Sequence, residues 1–164
     1  MKAICIDSLE QPLRLHVVPD SGVNGRNRPW FVPDDMGDDS EAVPYAGAVI
    51  DRLGMHIGEQ FARRYYNSLA AAAHLRSDAA DEAVEWCRDD NLTVGTEHTP
   101  AAGFDEAFLA EVDRAIATVS RFMTLKTGAL VLLRTDRAPV TVQIGDNQAV
   151  DVLEGLNSVP LKVR

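Results

Sequence analysis

Leu13, Leu15 and Val17 alternate with Arg14, His16 and Val18, the period-two pattern of a strand with one buried face. A short apolar run, Ala3 to Ile6, precedes it, so the chain opens on two strands. Asp20, Gly22, Asn24 and Gly25 then supply turn chemistry. Residues 28–32 resume an extended run that Pro29 confines to an edge, as a hairpin partner. Residues 33–40 read as an acidic loop and 46–50 as a strand of small residues.

From Ile57 the spacing changes. Ile57, Phe61 and Tyr65 recur every fourth residue, with Glu59, Gln60, Arg63 and Arg64 on the other faces, and this predicts a helix. Leu69 to Leu75, with its run of alanines, is helical by propensity alone. A second helix is predicted from Ser77 as N-cap, with Asp78 and Asp81 in its first turn and Ala80, Val84 and Cys87 on one face. Leu92 to Gly95 is a brief strand. The longest helix starts near Asp105 and carries Phe108, Leu109, Val112, Ile116 and Val119 on one stripe. Beyond Gly128 strands are predicted at 130–133, 140–144, 150–153 and 161–164, with turns at Gly145-Asp146 and Glu154-Gly155. Strands enclosing a helical middle indicate an α+β architecture, and residues 1–164 read as one domain.

Charge narrows the partners. The 164 residues carry 16 Lys and Arg against 25 Asp and Glu, a net −9, which argues against tracking a phosphate backbone; no nucleic-acid partner is expected. No apolar run is long enough to span a bilayer, and the first residues, with Asp7 and Glu10, do not form a signal peptide. The expected compartment is the cytoplasm, with no membrane partner, where Cys5 and Cys87 would be reduced, buried thiols.

Local motifs point to no reaction. His16, His56, His74 and His98 form no pair at helical spacing, and no Cys-x-x-Cys, phosphate-binding glycine loop or nucleophile elbow is present. The acids of 34–41 lack the alternation of a calcium loop and read as a solvated segment. Arg134 and Arg137 at a strand end could clamp a carboxylate, although a solvated loop with a local pair to Asp136 explains them as well. Tyr65-Tyr66 and Trp30-Phe31 read as half-buried core aromatics.

Two stretches carry a resemblance. One is Asp51-Arg-Leu-Gly-Met-His-Ile-Gly-Glu-Gln-Phe-Ala-Arg-Arg-Tyr-Tyr66. The other runs from Ser120-Arg-Phe-Met-Thr-Leu-Lys-Thr-Gly128 through Ile144-Gly-Asp146 to Leu153-Glu-Gly155. In order and spacing they resemble the fumarylacetoacetate hydrolase (FAH) superfamily, in its short single-domain isomerase, decarboxylase and hydrolase members. The resemblance implies a mixed β-sandwich roll with a few flanking helices, commonly dimeric. It also implies a strand at 68–75, against propensity, and the resemblance is followed there.

The family's chemistry implies a hard cation, Mg²⁺ or Mn²⁺, held by a Glu-x-Glu pair on one strand and an aspartate, and chelating a 2-oxo acid or 1,3-diketone. Here the motif departs from the family. Counting from Arg52 and from Tyr66, the two glutamate positions fall on Val43 and Tyr45, and the aspartate position on His74. The family's lysine falls on Arg88, and its Thr-Gly-Thr-Pro-Ala-Gly loop becomes Leu133 to Ala138. Glu41 could replace one glutamate only with a register shift of two.

The expected reading is therefore a degenerate FAH-fold protein, non-catalytic, with no metal or other cofactor. It would bind a small carboxylate through Arg88, Arg134, Arg137 and Tyr45, or act as a homodimer or a subunit beside an intact paralogue. The alternative is an active hydrolase, isomerase or decarboxylase of 2-oxo acids or acylpyruvates, similar to 2-hydroxyhepta-2,4-diene-1,7-dioate isomerases. It would use Mg²⁺ or Mn²⁺, or His74 as a metal-free acid/base. An unrelated α+β interaction domain is the third possibility.

Overall fold

Two long antiparallel strands, β4 (Ser40–Ile50) and β5 (Tyr66–Ser77), form the spine of the computed structural model, which describes residues 2–34, 39–77 and 81–164. Their neighbours are β1 (Ala3–Ser8), β2 (Arg14–Val18), β3 (Val23–Asn24), β6 (Leu92–Val94) and β8 (Leu130–Arg134), in the order β2-β1-β8-β4-β5-β6-β3. β7 (Thr99–Pro100) pairs with β5, and β9 (Val140–Val142) extends β4. A separate hairpin joins β10 (Asn147–Val150) to β11 (Val159–Lys162). The helices are α1 (Glu82–Cys87) and α2 (Glu106–Val119). The architecture is the expected α+β one, a curled and mostly antiparallel sheet with few helices. No helix among the described residues is long and apolar enough to cross a membrane.

Side-chain alternation divides the sheet into two buried faces. On one, Ile4, Ile6, Ala48, Ile50, Leu69 and Val131 meet Leu109, Val112, Ile116 and Val119 of α2. Each of those four helix side chains contributes roughly 1.5–3 kcal/mol by burial. Further along the same face Ala42, Ala46, Ala71, Ala73 and Leu75 are covered by Val142, Val150, Val159, Leu161 and Val163. The opposite face gathers Ala3, Cys5, Val43, Tyr45, Ala70, Ala72 and Leu132 inside the curl, with Trp86 of α1 packed against it. The alanines at 70–73 thus face two dry layers and sit within an eleven-pair ladder, which explains why tertiary packing overrides helix propensity there.

Several local expectations are corrected. Residues Glu59–Tyr65 form a 3₁₀ helix, not an α-helix. Only Ala62 of it is buried, so the connection from β4 to β5 tightens instead of presenting an apolar stripe. Ser77 ends β5, and α1 is capped by Asp81, whose carboxylate accepts the Ala83 N–H; Asp78 and Ala80 lie outside the described residues. Cys5 is buried as expected but Cys87 is exposed. Trp30 makes a parallel bridge to Val163, not a hairpin with the preceding strands, and its indole N–H donates to Asn91. The strand expected at 150–153 is β10, earlier by three residues, because Gly145 turns the chain directly into it. Phe31 is exposed, and of the acidic loop residues 35–38 lie outside the described set while Ser40 already begins β4.

Candidate functional site

The register of β4 and β5 places Val43 directly opposite His74, and Tyr45 opposite Ala72. Residues two apart on a strand share a face, so Val43, Tyr45 and His74 all point into the curl. There they border a cavity of about 260 Å³, whose wall also includes Asp7, Arg76, Ser77 and, from α1, Glu82, Glu85 and Trp86. Every one of the three positions singled out from the sequence therefore belongs to one site, although none carries the carboxylate the resemblance implies.

The polar atoms at those positions are engaged within the protein. The Tyr45 phenol donates to Asp7 Oδ1 at 2.6 Å, and His16 Nε2 lies 3.3 Å from Asp7 Oδ2. Burial, then the bond to Asp7, pushes the Tyr45 hydroxyl well above its ordinary value. Burial likewise raises the Cys5 thiol, with Asp7 adding to the effect. The His74 ring nitrogen Nε2 meets the Glu85 carbonyl at 3.3 Å, which assigns the proton to that nitrogen. Burial lowers the imidazole pKa from 6.5 to about 4, so His74 is neutral at physiological pH. Burial raises the Glu85 carboxyl, although the Ser77 N–H donates to it.

Trp86 locks this arrangement. Its indole stacks on His74 at 3.8 Å and on His16 at 4.1 Å, within 6° and 5° of parallel, and it meets Tyr45 edge-on at 6.2 Å. One short helix thus ties β2 to β5 across the open side of the curl.

The donor set does not fit a hard cation. Val43 has no donor atom, the Tyr45 hydroxyl is committed to Asp7, and His74 offers one neutral nitrogen where an oxygen-loving ion needs several carboxylates. Glu41 is held by Arg76, with Arg76 Nη2 to Glu41 Oε2 at 3.2 Å. Among the described residues no three His, Cys, Asp or Glu side chains are grouped to hold a metal.

The predicted arginine clamp is not assembled. Arg134 ends β8 opposite Tyr45, Arg137 pairs with Asp151 at 3.6 Å in the following loop, and Arg88 caps α1. None of the three lines the cavity. Their separation follows from the topology, since Arg88 comes from the α1 end and the other two from the β8–β9 connection. Conversely, Asp7, His16, Glu85 and Trp86 escaped the sequence reading. Asp7 and Tyr45 are 38 positions apart and meet only through the sheet. The sole available signal was alternation: Cys5, Asp7 and His16 share a face once β1 is paired with β2.

No protein-family model and no curated protein matches the chain. Solved structures do. An Escherichia coli protein proposed to be an isomerase is 20% identical, with a TM-score of 0.79 over 99% of this chain and 91% of the other. A Yersinia pestis protein proposed to belong to the fumarylacetoacetate hydrolase family gives 18% identity and 0.78, over 99% and 92%. The fumarylpyruvate hydrolase of Pseudomonas aeruginosa, solved with Mn²⁺ and pyruvate, gives 15% and 0.77, over 99% and 89%. The chain has the fold of the FAH superfamily.

Proposed function

We propose that the chain is an FAH-superfamily protein that has exchanged metal-dependent chemistry for binding: a non-catalytic member holding a small molecule in the cavity beside Val43, Tyr45 and His74. One observation carries the reading. The three positions converge on one cavity, yet none of Val43, Tyr45 and His74 carries a carboxylate: the Tyr45 hydroxyl is taken by Asp7 and the His74 imidazole meets the Glu85 carbonyl. A side-chain set that satisfies itself has little left to offer a metal. The same reading places the protein in the cytoplasm, as a homodimer or beside an intact paralogue.

Titration calorimetry with Mg²⁺ and Mn²⁺, paired with assays on oxaloacetate and fumarylpyruvate, tests it. The expected result is no stoichiometric binding at millimolar metal and no metal-dependent turnover. Stoichiometric metal binding with turnover would overturn it. A metal-free enzyme of the same family is the second reading, favoured by the neutral His74 imidazole bordering the cavity. Turnover of an acylpyruvate that vanishes in His74→Ala would establish it in place of the first.

A further inference from the structure

The connection from β4 to β5 and the connection from α2 to β8 are stitched into one surface. Gly54 and Leu125 exchange backbone hydrogen bonds at 3.0 and 2.8 Å, and the His56 N–H donates to the Ser120 carbonyl at 2.7 Å. Leu53 and Met55 flank the bridged Gly54 and so share a face. Met55 Sδ lies 3.5 Å from Thr124 Oγ1, which sets it against the turn that carries Phe122. Phe61 is drawn back to the same loop by its N–H, which donates to the Gly58 carbonyl at 2.9 Å. Leu53 is 64% exposed, Phe122 51%, and Met55 and Phe61 45% each. The other large apolar side chains exposed among the described residues, Val17, Phe31, Val84 and Ile144, lie on separate elements. Single exposed apolar residues are ordinary, but a gathered set marks a surface that another molecule covers.

Charge selects the occupant. Arg52 precedes Leu53, Arg121 precedes Phe122, Lys126 follows Leu125, and the Arg64 guanidinium lies 4.9 Å from the centre of the Phe61 ring. All four cations are exposed, and none forms an ion pair among the described residues. Residues 51–64 and 120–127 hold five Lys and Arg against two acids, whereas the rest of the chain holds eleven against twenty-three. A basic region on an acidic molecule thus coincides with an apolar patch. A second copy pairing through the same patch would set these cations against themselves, and an anionic bilayer would meet the acidic remainder as well. Three of the four are arginines, whose planar fork takes a carboxylate at two points. An apolar centre of Phe and Met within such a rim is the make-up of a protein interface.

We propose that this face docks an acidic protein segment, whose apolar side chains seat on Leu53, Met55, Phe61 and Phe122 while its carboxylates meet Arg52, Arg64, Arg121 and Lys126. None of these residues lines the cavity beside His74, so the surface stands apart from whatever that cavity binds.

A fluorescein-labelled peptide of glutamates with leucines at helical spacing, and its twin with lysine at every glutamate, are titrated into the full chain and followed by anisotropy. The acidic peptide is expected to bind at one per chain, more weakly as salt rises, and the lysine twin not to bind. Affinity should fall by about tenfold or more in Leu53→Ser with Phe122→Ser and, separately, in Arg52→Glu with Arg121→Glu. These positions are exposed and the substitutions leave the fold intact, which circular dichroism verifies. No binding of the acidic peptide, equal binding of the lysine twin, or unchanged affinity in both double variants would each overturn the proposal. So would binding to phosphatidylserine vesicles that the same variants abolish, which assigns the face to a membrane. A dimer in sedimentation that Leu53→Ser with Phe122→Ser splits would also overturn it, by assigning the face to a second copy.

Discussion

His74 enters the fold uncharged, and this couples stability to pH. The unfolded chain takes up a proton on this imidazole near pH 6.5, whereas the folded protein refuses it until about pH 4. Its contribution is therefore complete above pH 6.5 and is lost as the pH falls toward 4, by up to about 3 kcal/mol. Glu85 acts in the other direction. Its raised pKa favours the folded state under acid, and that contribution fades as the pH rises. Urea unfolding between pH 4 and 7 separates them: His74→Gln should flatten the acid-side fall in stability relative to the parent. Parallel profiles would mean that His74 takes up its proton at the same pH in the folded and unfolded chain. The same site explains what was legible at this scale. Counting along β4 and β5 located Val43, Tyr45 and His74, because register is a local property of paired strands. Asp7, His16 and Trp86 stayed hidden because they arrive from other strands and a helix, and alternation along β1 and β2 gives Asp7 and His16 a face without saying what that face meets. Trp86→Ala removes both stacking contacts at once and should cost about 3 kcal/mol, read from the urea midpoint.

Elements constrain the fold through close approach more than through propensity. A Cβ on Gly47 of β4 would stand 1.9 Å from the Val131 carbonyl oxygen of β8, so the backbone itself would have to move. Gly47→Ala should split the β4–β8 ladder, and no folded soluble protein is expected by circular dichroism; a folded variant would show that the ladder can slide. On the opposite face a polar tie fixes the 3₁₀ helix to α2. Arg63 donates to Asp113 at 2.8 Å and to Glu106 at 2.9 Å, and Asp113 also accepts from the Tyr66 phenol at 2.8 Å. Arg63→Ala leaves Asp113 with the phenol alone and should cost about 2 kcal/mol in unfolding free energy. Periodicity read α2 correctly, since its stripe packs on one sheet face. It misread Ile57 to Tyr65, because a fourfold spacing over two turns cannot separate a loose 3₁₀ turn from an α-helix. The alanine run needed the resemblance, as composition carries no information on the layers above and below.

At the scale of the whole molecule, the proposal that this chain keeps the framework of the FAH fold without a cation site can be tried in reverse. Val43 and Tyr45 share a face of β4 with His74 opposite, so carboxylates at the three positions would converge on the cavity. The triple variant Val43→Glu, Tyr45→Glu, His74→Asp should be less stable than the parent without metal. It crowds like charges together and strips Asp7 of its phenol donor. A divalent cation would offset that repulsion, adding RT ln(1 + [M]/Kd), about 2.7 kcal/mol at a hundredfold excess over Kd. For a chain of this length that corresponds to a rise in Tm of about 5–10 °C. Thermal unfolding of both proteins, in a chelator and in Mn²⁺, makes the comparison. The expected outcome is a metal-dependent Tm in the triple variant and none in the parent. A triple variant that folds and ignores Mn²⁺ would mean that the likeness stops at topology, because β4 and β5 would then align without holding the spacing that a cation requires.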